Sequence, residues 1–388
     1  MLTKYVEGSP YPKIRFATAK GGWKEGTLAN VNGASALLFS FGLRLQQELD
    51  VPIGLMQGAV GGTPSGPWLS EEAYNADEAC KEAIAKFAKT FNAEEQKKNY
   101  EAALAKWEKD AEIAKKENKP VPQKPALVRK PGEPTAKIGN LYEAHIRGFI
   151  PFAIRGVLWD QGESGTAITG VDQYSLMGAL IRGWRKEWGQ GDFAFIYIQK
   201  PSGGGCAWDS EIASTKNASK FAPLPKAPPA TQTGLYRETH IRIAKYPNTA
   251  MAIASDLGSG IHPTNKSGYG DRASRVALGL AYGKKVEYYG PVFEGQKAES
   301  DTIRLTFTHV GQGLAFKHGE KLQGFAIAGA DKVFHWADAT IEGDTLVLKS
   351  ANVPKPIATR YAWGADHPWA NLFNKDGLPA QPFRTDSW

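Results

Sequence analysis

Four apolar runs, at 51–56, 154–159, 193–198 and 250–254, are separated by stretches whose apolar residues recur at helical spacing. No other feature of the chain constrains its fold as tightly. Short, near-continuous apolar runs suit strands covered on both faces, the condition of a parallel sheet. Between them, residues 34–49 set Leu38, Phe41, Leu45 and Leu49 on one helical stripe, and residues 173–187 do the same with Leu176, Leu180 and Trp184. A further helix is predicted near 236–245 and another reaching Tyr282, while residues 13–18 alternate as a short strand. Strand and helix alternating through residue 282 predict an α/β domain with a parallel sheet. After that the pattern changes. Segments 286–293, 302–308, 313–317, 324–328, 332–339 and 345–348 read as short strands split by Gly and Asp turns, a small all-β domain over 284–388.

One stretch interrupts the alternation. Residues 71–118 carry two helical patterns, the second aligning Tyr100, Leu104, Trp107, Ala111 and Ala114. Five prolines between Pro120 and Pro134 then favour an extended return. The stretch 71–137 is thus expected to be a helical hairpin inserted into the domain 1–283. It also holds much of the chain's excess charge, 14 Lys/Arg against 9 Asp/Glu between Lys81 and Lys137, out of a net +7 overall. Mixed signs on an exposed helix describe a solvated face rather than a phosphate-binding stripe, so no nucleic-acid partner is expected. No run approaches the roughly 20 apolar residues of a membrane span. The start shows no charged n-region followed by an apolar h-region, so no signal peptide is read there. Cys80 and Cys206 are the only cysteines, which excludes a cysteine-rich scaffold or a Cys-based zinc site. No metal-ligand spacing is present, and no metal or cofactor is expected.

In parallel α/β sheets ligands bind at the carboxyl ends of the strands. Three polar clusters fall there: Gly61-Gly62-Thr63, Gln161-Gly162-Glu163, and His262 beyond Asp256. An imidazole base, a carboxylate to orient it and backbone N–H groups for an oxyanion are the parts of an acyl-transfer site. Each part also has an ordinary alternative: turn glycines, a structural carboxylate, a loop histidine.

The segments 51–63, 154–164 and 261–266, with Leu141-Tyr142, Ile150-Pro151-Phe152 and the ending from Thr359 to Asn374, resemble the sialate O-acetylesterase family of SGNH-type carbohydrate esterases. The likeness runs through nearly the whole chain. It implies a flavodoxin-like three-layer sandwich and removal of O-acetyl groups from sugars, with an O-acetylated sugar or glycan as the partner. It also implies export, to a secreted or periplasmic location. Carried over residue by residue, Gly62 is the oxyanion N–H donor, Gln161 assists it, His262 is the general base and Glu163 the triad acid.

Departures from the family pattern qualify these roles. Ser259 stands three residues before His262, where the family often has Asp; Asp256 lies six before and is the second candidate orienter. Asp160 stands where an aromatic or His is usual, and Gly165 where Asn or Asp often sits. The family's nucleophile, a serine in a Gly-Gln-Ser-Asn block on the first sheet strand, has no counterpart in residues 1–388, nor does a Gly-x-Ser-x-Gly elbow. Ser35, Ser65 and Ser164 are poor substitutes. A shortened N-terminus is the first explanation to consider, and the chain is expected to show little esterase activity by itself. A carbohydrate-binding protein without turnover, using Trp363 or Trp369 against sugar rings, is the alternative. The sequence does not bear on oligomeric state.

Overall fold

The computed structural model describes residues 8–150, 152–207, 218–258 and 263–388. These form two compact units. The first comprises residues 1–61, 145–163 and 185–388, and so includes both the parallel strands and the short strands of the C-terminal third. The second comprises residues 62–144 and 164–184.

In the first unit, strands β1 (Tyr11–Thr18), β2 (Gly21–Gly26) and β3 (Ile53–Met56) make one sheet, ordered β2-β1-β3. β1 runs parallel to β3, with Ile14 opposite Ile53, and antiparallel to β2. Strands β4 (Gly156–Trp159), β5 (Ala194–Ile198) and β6 (Thr249–Ala252) make a second sheet, parallel throughout. The predicted strands are therefore present, and those on either side of a helix run parallel. Among the described residues they are split between two three-stranded sheets and do not pair into one continuous sheet. Every residue of β5 and β6 is buried, whereas Val157 and Leu158 of β4 are only half-buried. Among the described residues, β3 pairs only with β1 and β4 only with β5. β2 was not legible in the sequence, because Gly21-Gly-Trp-Lys-Glu-Gly26 has no apolar alternation.

Helix Ala36–Leu49 begins where the Ser35 hydroxyl accepts from Leu38 N–H, and ends at Asp50 in the left-handed region. It packs on β1 and β3, helix Lys266–Leu280 packs on β5 and β6, and the two helices pack on each other. One helical layer therefore covers both sheets. The predicted stripe is rotated: of its residues Leu45 is buried, together with Leu37, Phe39, Ser40 and Leu43, while Leu38, Phe41 and Leu49 stay partly open. The reason is the helix crossing. Gly270 comes so near Ser40 that a Cβ there would sit 2.2 Å from its Oγ and 2.7 Å from the Phe41 nitrogen. Backbone cannot retreat from such a contact as a flexible side chain can. Gly270→Val is expected to lower stability by about 3 kcal/mol, the upper part of the usual overpacking range, read as a drop in thermal midpoint.

From Val292 onward the described elements are all strands: β7 (Val292–Glu299), β8 (Thr302–Thr308), β9 (Leu314–Phe316), β10 (Phe325–Ala328), β11 (Phe334–Trp336), β12 (Asp338–Glu342), β13 (Thr345–Lys349), β14 (Ala358–Tyr361), β15 (Leu372–Asn374) and β16 (Phe383–Arg384). They form sheets β12-β13-β8-β7 and β11-β10-β14-β16 and the pair β15-β9. Ile303, Leu305, Leu346 and Leu348 of the first sheet share a core with Phe325, Ile327 and Tyr361 of the second. The strand expected at 286–293 begins only at Val292, and 332–339 divides into β11 and the start of β12.

In the second unit the expected hairpin is three helices, Glu71–Ala76, Glu78–Ala88 and Ala93–Lys116, because Asp77 caps a new helix with its carboxylate on Cys80 N–H. The stripe from Tyr100 to Ala114 is the less exposed face of the longest helix, with Ala111 and Ala114 buried. Trp107 Nε1 donates to Pro122 O at 2.7 Å, tying the proline-rich return alongside it. Cys80 and Cys206 are both free and buried.

Candidate functional site

The carboxyl ends of β4, β5 and β6 carry a charged cluster built around a residue that no motif marks. β4 runs into Asp160, Gln161, Gly162 and Glu163; β5 runs into Gln199 and Lys200. The Lys200 ammonium lies 2.8 Å from Asp160 Oδ1 and 2.6 Å from Glu163 Oε1. Its side chain is 4% exposed, against 23% and 25% for the two carboxylates, so the cation lies beneath a pair of anions that reach solvent. Burial alone would pull the Lys200 pKa down, but the two carboxylates outweigh it and raise it, so the ammonium stays charged. Lys266 Nζ stands 3.8 Å from Asp160 Oδ2 and lies over the Tyr269 ring. The negative charge of Asp160, which would oppose a developing oxyanion, is thus balanced by two cations.

Helix Leu235–Ile243 closes the other side. Tyr236 donates its hydroxyl hydrogen to Gly162 O, and burial, then Glu163, pushes its pKa up to about 12. A Cβ on Gly162 would fall 2.6 Å from His240 Cε1 and 2.9 Å from Lys200 Cγ, so only glycine fits between those side chains. His240 is buried, and neither ring nitrogen has a hydrogen-bond partner among the described residues. Burial, followed by the Lys200 and Arg237 charges, depresses its pKa to about 3 and leaves it neutral.

The residues singled out from the sequence have different fates. Gln161 and Glu163 stand together at the end of β4. Asp256, at the end of β6, is fully buried and bound in a two-pronged pair with Arg272, at 3.0 Å and 2.7 Å, so both its oxygens are occupied by the guanidinium. His262 and Ser259 lie outside the described residues. Gly62, in the second unit, has φ +73° and open space where a Cβ would be, as a turn glycine does. Ser65, in that same unit, is buried and its Oγ accepts from Gln173 Nε2 at 2.7 Å, while Ser35 caps a helix. Neither hydroxyl is presented as a nucleophile. Trp363 and Trp369 are buried, Trp363 donating to Thr231 O, so neither offers a face to a sugar. Among the described residues no group of His, Cys, Asp and Glu could hold a metal ion, and no helix is long and apolar enough to cross a membrane.

Lys200, Tyr236 and His240 carry no recognisable spacing. The available signal was positional: a lysine two residues beyond a fully apolar run stands at the carboxyl edge of a buried strand.

The architecture is close to that of a carbohydrate acetylesterase. A solved structure of such an enzyme from Xanthomonas citri superposes with a TM-score of 0.69 at 27% identity, covering 99% of this chain and 76% of that one. The curated relatives are sialate O-acetylesterases. The human protein is 25% identical over 374 residues, 90% of this chain and 60% of its own length; the rat protein is 27% identical over 396 residues, 93% and 66%. The resemblance to sialate O-acetylesterases therefore holds along about nine tenths of the chain, which spans about 60% of the length of the orangutan and human relatives. The chain matches no protein-family profile.

Proposed function

We propose that the chain carries the acid–base and oxyanion parts of a carbohydrate O-acetylesterase acting on sialate-type O-acetylated sugars, within an SGNH-type sandwich. The observation that carries this reading is that Gln161 and Glu163 directly follow β4 at its carboxyl end, with Glu163 bound by Lys200, in a chain alike to a carbohydrate acetylesterase over 99% of its length. In this reading a serine oxygen attacks the acetyl carbonyl and passes its proton to His262. Gln161 stabilises the tetrahedral oxyanion, and Glu163 holds the imidazole. His262 then protonates the departing sugar oxygen, and water releases acetate from the acyl-enzyme. No serine in this chain is assigned the attack. The structural pairing of Asp256 with Arg272 favours Glu163 as the orienting acid.

Two measurements test it. By calorimetry an O-acetylated sialic acid binds at least tenfold more tightly than its deacetylated form; equal affinity, or none for either, rejects the reading. With 4-nitrophenyl acetate the chain turns over no faster than its His262→Ala variant. Rates well above that control would mean that a nucleophile is present after all.

A further inference from the structure

We infer that Lys200 is the positioning residue of this site, a buried clamp that holds the Gln161–Gly162–Glu163 turn by binding one oxygen of Asp160 and one of Glu163 from beneath. The inference rests on the proposed role of Glu163 and extends it. Three observations lead to it. The ammonium touches both carboxylates at hydrogen-bond distance and also lies 3.2 Å from Ser202 Oγ, so its three protons are used. Lys200 holds Glu163 through Oε1. A carboxylate gripped by one oxygen keeps the other as a fixed acceptor for an imidazole N–H. Finally, Lys200 Cγ, His240 and Tyr236 all close on Gly162. The turn is thus held through its backbone at Gly162 and through charge on both sides of it. β4 has no pairing partner beyond β5 among the described residues, so these contacts replace the support a neighbouring strand would give the turn.

The clamp is tested by hydrogen exchange at the amides of residues 161–163 in the wild type, Lys200→Met and Lys200→Arg. Exchange should quicken at least tenfold in Lys200→Met and stay within threefold of wild type in Lys200→Arg. Exchange within twofold in Lys200→Met overturns the proposal. Should Lys200→Met not fold, the wild type decides alone. Through-hydrogen-bond couplings from Lys200 Nζ must reach the carboxylate carbons of both Asp160 and Glu163, and coupling to one or neither overturns it. A ligand readout separates positioning from mere support. The preference for an O-acetylated over a deacetylated sialic acid should fall below threefold in Lys200→Met and return in Lys200→Arg. If the wild type shows no such preference, the functional reading fails, while exchange and coupling still decide the clamp.

Discussion

At pH 5 the folded protein should be about 2 kcal/mol less stable than at pH 7 through the buried His240 alone, with a further loss in the same direction through His367. Burial is the main cause at both: His240 is depressed to about 3, and His367 well below its ordinary value. An unfolded chain protonates these imidazoles near pH 6.5, while the native state does not. The unfolded state therefore binds more protons at every pH between the two values, and stability falls as pH falls. The His240 contribution is complete above about 6.5 and is lost at about 1.4 kcal/mol per pH unit below it, down to about pH 3, and that of His367 is lost in the same direction. Denaturant melts at pH 7, 6 and 5 give the slope. His240→Gln should remove about 2 kcal/mol of the difference, and His367→Asn should lower the slope further. A slope that neither substitution changes would mean that the rings are protonated in the folded protein or reach water.

The second large effect is expected at Asp256. Asp256→Asn should cost about 3–5 kcal/mol, because it leaves the buried Arg272 guanidinium without its counter-charge. The double variant Asp256→Asn with Arg272→Met should recover most of that loss, since a pair replaced by apolar volume leaves no stranded charge. Urea melts of the wild type and the two variants measure it. If Asp256→Asn keeps its stability but weakens ligand binding, the carboxylate serves the site rather than the core.

Part of the site was open to reading from the chain itself. Gln161 and Glu163 come directly after an apolar run, and chain direction in a parallel sheet places the residues after such a run at one edge. The fate of Asp256 was not legible. Its partner Arg272 lies 16 residues on, within the next helix, and nothing in the spacing separates a residue that holds an imidazole from one that neutralises a guanidinium. The same limit applies to Trp363 and Trp369, whose type suits a sugar face or a core equally well; packing buried both.

By itself the sequence determined most of the strands and helices of the α/β part, though not β2 or the break at Asp77, since period and length depend on local patterning. It also determined the likeness to sialate O-acetylesterases, which rests on motif order. Tertiary structure alone decided that the parallel strands fall into two sheets, which side of helix Ala36–Leu49 is buried, and that Lys200 joins Asp160 to Glu163. Those outcomes depend on groups distant in the chain meeting in space, as Ser40 and Gly270 do. Contact energies at such separations are set by the packed fold, and no local period encodes them.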